Sequence, residues 1–107
     1  MSDYYAYIFV RQDISPEQQL IQFGHAACVM GKNLPDEVCP KSLNFVGIGV
    51  KTEYDLFMAM DRMVRSDVSY HAFTEPDLRN EITAVASVPV KGTAREAFKK
   101  YNTLRFS

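Results

Sequence analysis

The sequence predicts an α/β fold, three-layer, with a small four-stranded mixed sheet, helices on both faces and the order β-α-β-α-β-β-α. Three observations carry this expectation. Two β-branched and aromatic runs, at residues 5–10 and 43–50, are each followed by a capped segment with helical spacing, and strands that alternate with helices imply right-handed parallel crossovers. Two later runs, at 68–74 and 81–90, are separated only by "EPDLRN", whose proline and charged residues read as the loop of an antiparallel hairpin. With 107 residues, 47 % of them apolar, the chain is long enough for one domain, residues 1–107, and too short for two.

Residues 5–10, "YAYIFV", suit a buried strand and end in the polar group Arg11, Gln12, Asp13. Ser15 then supplies an N-cap, Pro16 the first helical residue and Gln18 the third position of a capping box. Gly31 can end this helix in left-handed geometry. Leu20, Gly24, Ala27, Cys28 and Gly31 form a stripe of mostly small residues that suits close packing on the sheet. Gln18, Gln22 and His25 follow at steps of four and three on another face, a row that reads either as solvated surface or as one wall of a site.

Residues 32–41 read as a loop. In "LNFVGIGV", Val46, Ile48 and Val50 alternate with Phe45, Gly47 and Gly49, predicting a central strand with one face cleared for a packed helix. Thr52 caps the next helix with Asp55 three residues on, and Leu56, Met60, Met63 and Val64 repeat at helical spacing as core. A last amphipathic segment runs from Thr93 to about Leu104. In mixed sheets of this kind ligands sit beyond the carboxyl ends of the parallel strands. Arg11, Asp13 and the first turn of the Gln18 helix are expected there.

Formal charge is −1, from 12 basic and 13 acidic residues, so no overall positive field gathers nucleic acid from a distance. Locally, Lys91, Arg95, Lys99, Lys100 and Arg105 oppose only Glu96 after Pro89, which is either a solvated helix face or a phosphate-binding patch. Cys28 and Cys39 have neither C-x-x-C spacing nor the number to staple a domain, and no cluster has metal-ligand spacing. A reducing, cytoplasmic setting without cofactor or metal is the expectation. No apolar run approaches the ~20 residues of a membrane span, so no membrane partner is expected.

The candidate chemistry lies in Arg11 and Asp13 after the first strand, Gln18, Gln22 and His25 on the helix, Glu75 and Asp77 in the hairpin loop, and Thr83 opening the last strand. A carboxylate beside an imidazole can orient or deprotonate a water, and a hydroxyl can position it. Each also has a plainer reading, His25 as a structural histidine and Glu75 and Asp77 as turn residues.

Three stretches carry a family resemblance. "VRQDI" at residues 10–14 is similar to the strand ending V-R-x-D-L, "QFGHAAC" at 22–28 to the helix Q-x-S-H-A-A, and "TAVASVPV" at 83–90 to the last strand of the archaeal and eukaryotic type of peptidyl-tRNA hydrolase. The resemblance implies a metal-free hydrolase of the ester between a peptidyl or N-blocked aminoacyl group and tRNA, commonly a homodimer. It implies site roles for Arg11, Asp13, Gln22, His25 and Thr83, with Glu75 near the family's acidic residue in a loop that is shorter here. Gln18 stands where the family has a functional lysine, and "SPEQ" replaces a glycine- and lysine-rich loop. Loss of one preorganised donor typically lowers such a rate ~10²–10³-fold, so weakened activity is expected. The alternative is a catalytically silent binding module of the same fold, holding a nucleotide, a small ligand or a protein. On the hydrolase reading Asp13 or His25 handles the water, Gln18 and Gln22 polarise the carbonyl, Thr83 lends a hydroxyl, and Lys91 and Arg95 with Arg11, Glu75 and Asp77 contact substrate.

Overall fold

A computed structural model of the chain describes residues 3–36 and 40–103. Its elements are β1 (Tyr4–Arg11), α1 (Pro16–Lys32), β2 (Leu43–Val50), α2 (Glu53–Arg65), β3 (Tyr70–Glu75) and β4 (Glu81–Ser87), with 3₁₀ segments at Pro76–Leu78 and Gly92–Phe98. The strands form one sheet in the order β2-β1-β4-β3. β1 and β2 are parallel, with Arg11 opposite Val50, and the β1–β4 and β3–β4 pairs are antiparallel. The fold class is therefore the mixed α/β sandwich expected, though β2 is an edge strand rather than a central one. No helix is long and apolar enough to cross a membrane among the described residues.

Alternation along β1 divides the interior. Tyr7 and Phe9 point to one face, where Ile48, Leu56, Met63, Val85 and Phe98 complete a core beneath α2 and the 3₁₀ segment Gly92–Phe98. Ala6, Ile8 and Val10 point to the other, against Ala26 and Met30 of α1 and Ala84 and Ala86 of β4. Burying each large aliphatic or aromatic side chain contributes ~1.5–3 kcal/mol, and these two clusters clamp the sheet from both sides.

Helix α1 starts as its caps dictate, the Ser15 hydroxyl accepting from the Gln18 amide at 3.2 Å. It turns a different face to the sheet from the small-residue stripe. Gln19, Gln22, Ala26 and Met30 are buried, whereas Leu20, Gly24, Cys28 and Gly31 are exposed. The close approach comes from alanines on the sheet, so the helix has no need of a glycine face. Nor does Gly31 end it. The helix runs to Lys32 and is capped by Asn33, whose side-chain amide donates to the Val29 carbonyl at 2.7 Å. Cys28 is free and exposed; Cys39 and Leu104 lie outside the described residues.

Gly49 is cleared for a side chain rather than a helix, since a methyl group there would overlap the Gln12 amide. At the start of α2 the Asp55 carboxylate accepts from the Lys51 and Thr52 amides, both at 3.2 Å. Leu56, Ala59 and Met63 are its buried row, and Val64 is exposed.

The final segment is 3₁₀ where its spacing predicts an α-helix. In an α-helix the Ala97 carbonyl would accept from the Tyr101 amide. Here Arg62 of α2 donates to that carbonyl at 2.9 Å, and the Tyr101 amide turns to Phe98 at 3.2 Å. The tighter winding brings Phe98 into a stack on Tyr7, ring centroids 3.9 Å apart, and Tyr101 edge-on to Phe9.

Candidate functional site

Because β1 and β2 are parallel, their carboxyl ends and the N-termini of α1 and α2 lie at one end of the sheet, and the β3–β4 turn comes to the same end. The polar candidates sort themselves around this end.

A β-bulge sets the first group. Phe73 pairs with Ala84 but Thr74 pairs with Ile82, so Thr83 is the extra residue on β4. Ile82 packs toward the α2 side and Ala84 toward α1. The bulge thus gives the α1 face two successive side chains, Thr83 and Ala84. The Thr83 hydroxyl donates to Oε1 of Gln22 at 2.7 Å, with both residues fully buried. That bond fixes the Gln22 amide, whose Nε2 donates to Glu75 Oε2 at 2.8 Å and to Gln18 Oε1 at 3.3 Å. Glu75 is held a second time, its Oε1 accepting from the Asp77 amide at 3.3 Å.

The polarity of this chain has a chemical result. With its oxygen accepting from Gln22, Gln18 keeps its NH₂ group for something else. Gln18, Glu75 and Asp77 line a pocket of about 540 Å³ with aliphatic walls from Ile14, Ile21 and Leu78. Gln18, two acidic residues and the capping Ser15 thus line one cavity beside the first turn of α1.

Arg11 forms a second group. Strand alternation places it on the α2 side, after Tyr7 and Phe9. Its guanidinium grips Asp13 through two bonds, 2.6 Å from Nε to Oδ1 and 2.8 Å from Nη2 to Oδ2, and Nη1 reaches Glu81 at 2.7 Å and the Ile82 carbonyl at 3.3 Å. These bonds hold the Asp13 carboxyl below its usual range and push the Arg11 guanidinium further above neutrality. Asp13 is therefore an ion-pair partner here, and no bond joins it to the Gln22 chain among the described residues.

His25 lies one helical turn beyond Gln22 and stacks on Phe73, ring centroids 4.4 Å apart and planes 9° from parallel. No carboxylate hydrogen-bonds to it among the described residues. Lys91 and Arg95 lie at the other end of the sheet. Lys91 sits over the Tyr4 ring, 4.8 Å from its centroid, and Arg95 sits over Tyr5 at 3.6 Å and donates to the Tyr7 hydroxyl at 2.7 Å. Tyr5 precedes Arg11 by six strand residues, ~20 Å. A small molecule confined to the pocket lies about that far from these cations.

Sequence reasoning passed over three contributors. Glu81 is the second carboxylate on Arg11, Glu53 accepts from the Ile82 amide at 2.8 Å beside the bulge, and buried Gln19 links Gln12 (3.1 Å) to the Ile14 carbonyl (2.9 Å). Gln19 shares a helix face with Gln22, Ala26 and Met30, at steps of three and four, but apolar residues on every side of α1 hide which face is buried. Glu53 and Glu81 had no local signal. No group of three or more His, Cys, Asp or Glu side chains that could hold a metal occurs among the described residues.

No family model matches the chain, and no curated protein matches it. Among solved structures it is similar to a protein of unknown function from Agrobacterium tumefaciens strain C58, with a TM-score of 0.66 and 12 % identity, covering 98 % of this chain and 100 % of that one. At that identity the likeness is one of fold.

Proposed function

We propose that the chain is an ester hydrolase of the peptidyl-tRNA hydrolase-like kind, acting at the pocket between α1 and the β3–β4 turn. The observation that carries this reading is the chain Thr83–Gln22–Glu75, which ends with a fixed carboxylate and the free Gln18 amide facing one cavity. Glu75 takes a proton from a water as its oxygen attacks the acyl carbon. The carbonyl oxygen, now anionic, accepts from Nε2 of Gln18. Collapse breaks the bond to the alcohol oxygen, which recovers the proton from Glu75 and leaves as the hydroxyl product. The role first given to Asp13 or His25 passes to Glu75, because Asp13 is engaged by Arg11 and His25, stacked on Phe73 one turn beyond Gln22, is not among the residues lining the cavity. The substrate class rests on the sequence resemblance, and Gln18 in the lysine's place predicts slow turnover.

The test is release of acyl groups from acylated tRNA and from small aminoacyl esters at micromolar protein. Wild type exceeds a buffer control, Glu75→Gln loses ~10²-fold or more, and His25→Ala keeps at least half the rate. Wild-type turnover indistinguishable from buffer overturns the reading. The silent binding module is then favoured, an alternative supported by the engagement of both Asp13 and His25 outside the pocket, and Gln18→Lys gaining hydrolysis from zero would mark a decayed site.

A further inference from the structure

We infer that the outward face of α2 binds the same face of a second copy of this chain, in an antiparallel, two-fold arrangement. Helix α2 carries two apolar rows where the fold uses one. Leu56, Ala59 and Met63 are buried against the sheet. On the opposite side stand Tyr54, Phe57, Met58 and Val64, each 46 % or more exposed, and they are four of the seven large apolar side chains exposed among the described residues. Together with Asp61 and Arg65 they follow the i, i+3, i+4, i+7 spacing of a second packed face. Scattered apolar side chains on a surface need no partner, whereas a contiguous set on one helix marks an interface.

The face is complementary to itself in charge and in shape. Its two charged members, Asp61 and Arg65, pair at 3.1 Å, so it has no net charge to repel a copy. Glu53 and Asp55 occupy the first turn of α2, and Arg62 and Arg65 the last. Antiparallel pairing sets acids beside bases and opposes the helix dipoles, whereas parallel pairing sets like on like. At the C-terminal end of the stripe a depression of about 330 Å³ is lined by Val64, Asp67, Val68, Ser69 and Tyr70, and at the N-terminal end Tyr54 projects, 66 % exposed. A two-fold axis passing between residues 60 and 61 sets Phe57 of each copy on Val64 of the other and brings Tyr54 over the other's depression. Each contact then occurs twice.

The size of the face sets the strength. Thirteen residues make a helix ~20 Å long and ~10 Å wide, short of the ~800 Å² per partner of a standard interface, so the dimer is weak, with a dissociation constant on the order of 10–100 μM. Helix α2 packs on the opposite face of the sheet from α1. The pocket beside α1 therefore stays open in the dimer, and the inference stands or falls independently of the proposed hydrolysis.

The full chain is followed by sedimentation equilibrium from ~1 to ~500 μM, a range that spans such an affinity. The wild-type mass rises from 12.2 kDa toward twice that value. Phe57→Glu weakens association at least about ten-fold, and Leu20→Glu, at an exposed apolar position on α1, leaves it unchanged. Melting temperatures at the dilute end verify that both variants fold. Orientation is read from disulfide trapping in chains whose Cys28 and Cys39 are changed to serine. An equimolar mixture of Phe57→Cys and Val64→Cys chains forms a linked dimer on mild oxidation, and neither chain alone does, because like positions lie ~10 Å apart on antiparallel helices. Wild type that stays at the monomer mass throughout leaves the face to a different protein and overturns the inference, as does a dimer that survives Phe57→Glu or is lost in Leu20→Glu. A mixture that yields no linked dimer, or single chains that link to themselves as readily, overturns the antiparallel arrangement.

Discussion

The two ends of the sheet use polar residues in opposite ways. At the pocket end, Thr83, Gln22, Glu75 and Gln18 bond to one another in a directed chain that leaves a donor and acceptors facing a cavity. At the other end, the cations Lys91 and Arg95 lie on the rings of Tyr4 and Tyr5, and Arg95 donates to Tyr7. One end gathers polar groups around a cavity, while the other uses charge to cover the aromatic margin of the core. Polarity by itself therefore does not mark a site. What distinguishes the pocket end is that its hydrogen bonds have a direction that ends in open space.

The comparison breaks most sharply at Phe98. This side chain is 4 % exposed and stacks on Tyr7. Phe98→Ala removes the stack and opens the α2-side core, at a cost of ~3–5 kcal/mol. For a domain of this size that lowers the melting temperature by ~15 °C or more. If the basic end is structural, ester turnover by the surviving folded protein is unchanged. A melting temperature within ~3 °C of wild type would show that the aromatic margin is not part of the core.

Gln22 is the matching test at the pocket end. Gln22→Ala leaves the Thr83 hydroxyl and a Glu75 oxygen without their partner and opens a void, for ~2–4 kcal/mol. Thr83→Val, which removes only the donor, costs ~1–2 kcal/mol. Because the two groups share one bond, the double variant is destabilised by less than the sum, with a coupling of ~0.5–3 kcal/mol. Strict additivity in denaturant melts would dissolve the directed chain into independent buried groups.

These residues also show where the sequence stops being legible. Strands and helix starts can be read locally, from runs of Tyr, Ile, Phe and Val and from Ser15, Pro16 and Thr52, because caps and periodicity act over a few residues. The sheet-facing side of α1 cannot. Leu20, Ile21, Phe23, Ala26, Ala27 and Met30 surround the helix, so apolar spacing does not choose a face. Burying two glutamines becomes favourable only when partners arrive from far along the chain, Glu75 at 53 residues from Gln22 and Thr83 at 61. The bulge that aims Thr83 has no mark in "EITAVAS". Sequence similarity nevertheless singled out Gln22 and Thr83, which the fold joins by a hydrogen bond. It also grouped Arg11, Asp13 and His25 with them, and the fold joins Arg11 to Asp13 on the other side of the sheet.

That assignment gives the smallest expected effect. Arg11 holds the Asp13 carboxyl below its usual range, so the folded state keeps this carboxylate ionised at pH values where the unfolded chain has protonated it. A depressed folded value contributes stability that is complete above the ordinary aspartate value of 3.8 and is lost as pH falls through the lower, folded value. The Asp13 side chain is 36 % exposed, so solvent screens the pair, and such pairs contribute only ~0.2–1 kcal/mol. Urea melts of wild type and Asp13→Asn should therefore differ by a constant small amount from pH 5 to 7, with the gap closing as pH falls below 4. If Asp13 instead carried the proton of a catalytic step, the variant would lose turnover across the whole range while its stability difference stayed flat, and the division between a structural Asp13 and a reactive Glu75 would fail.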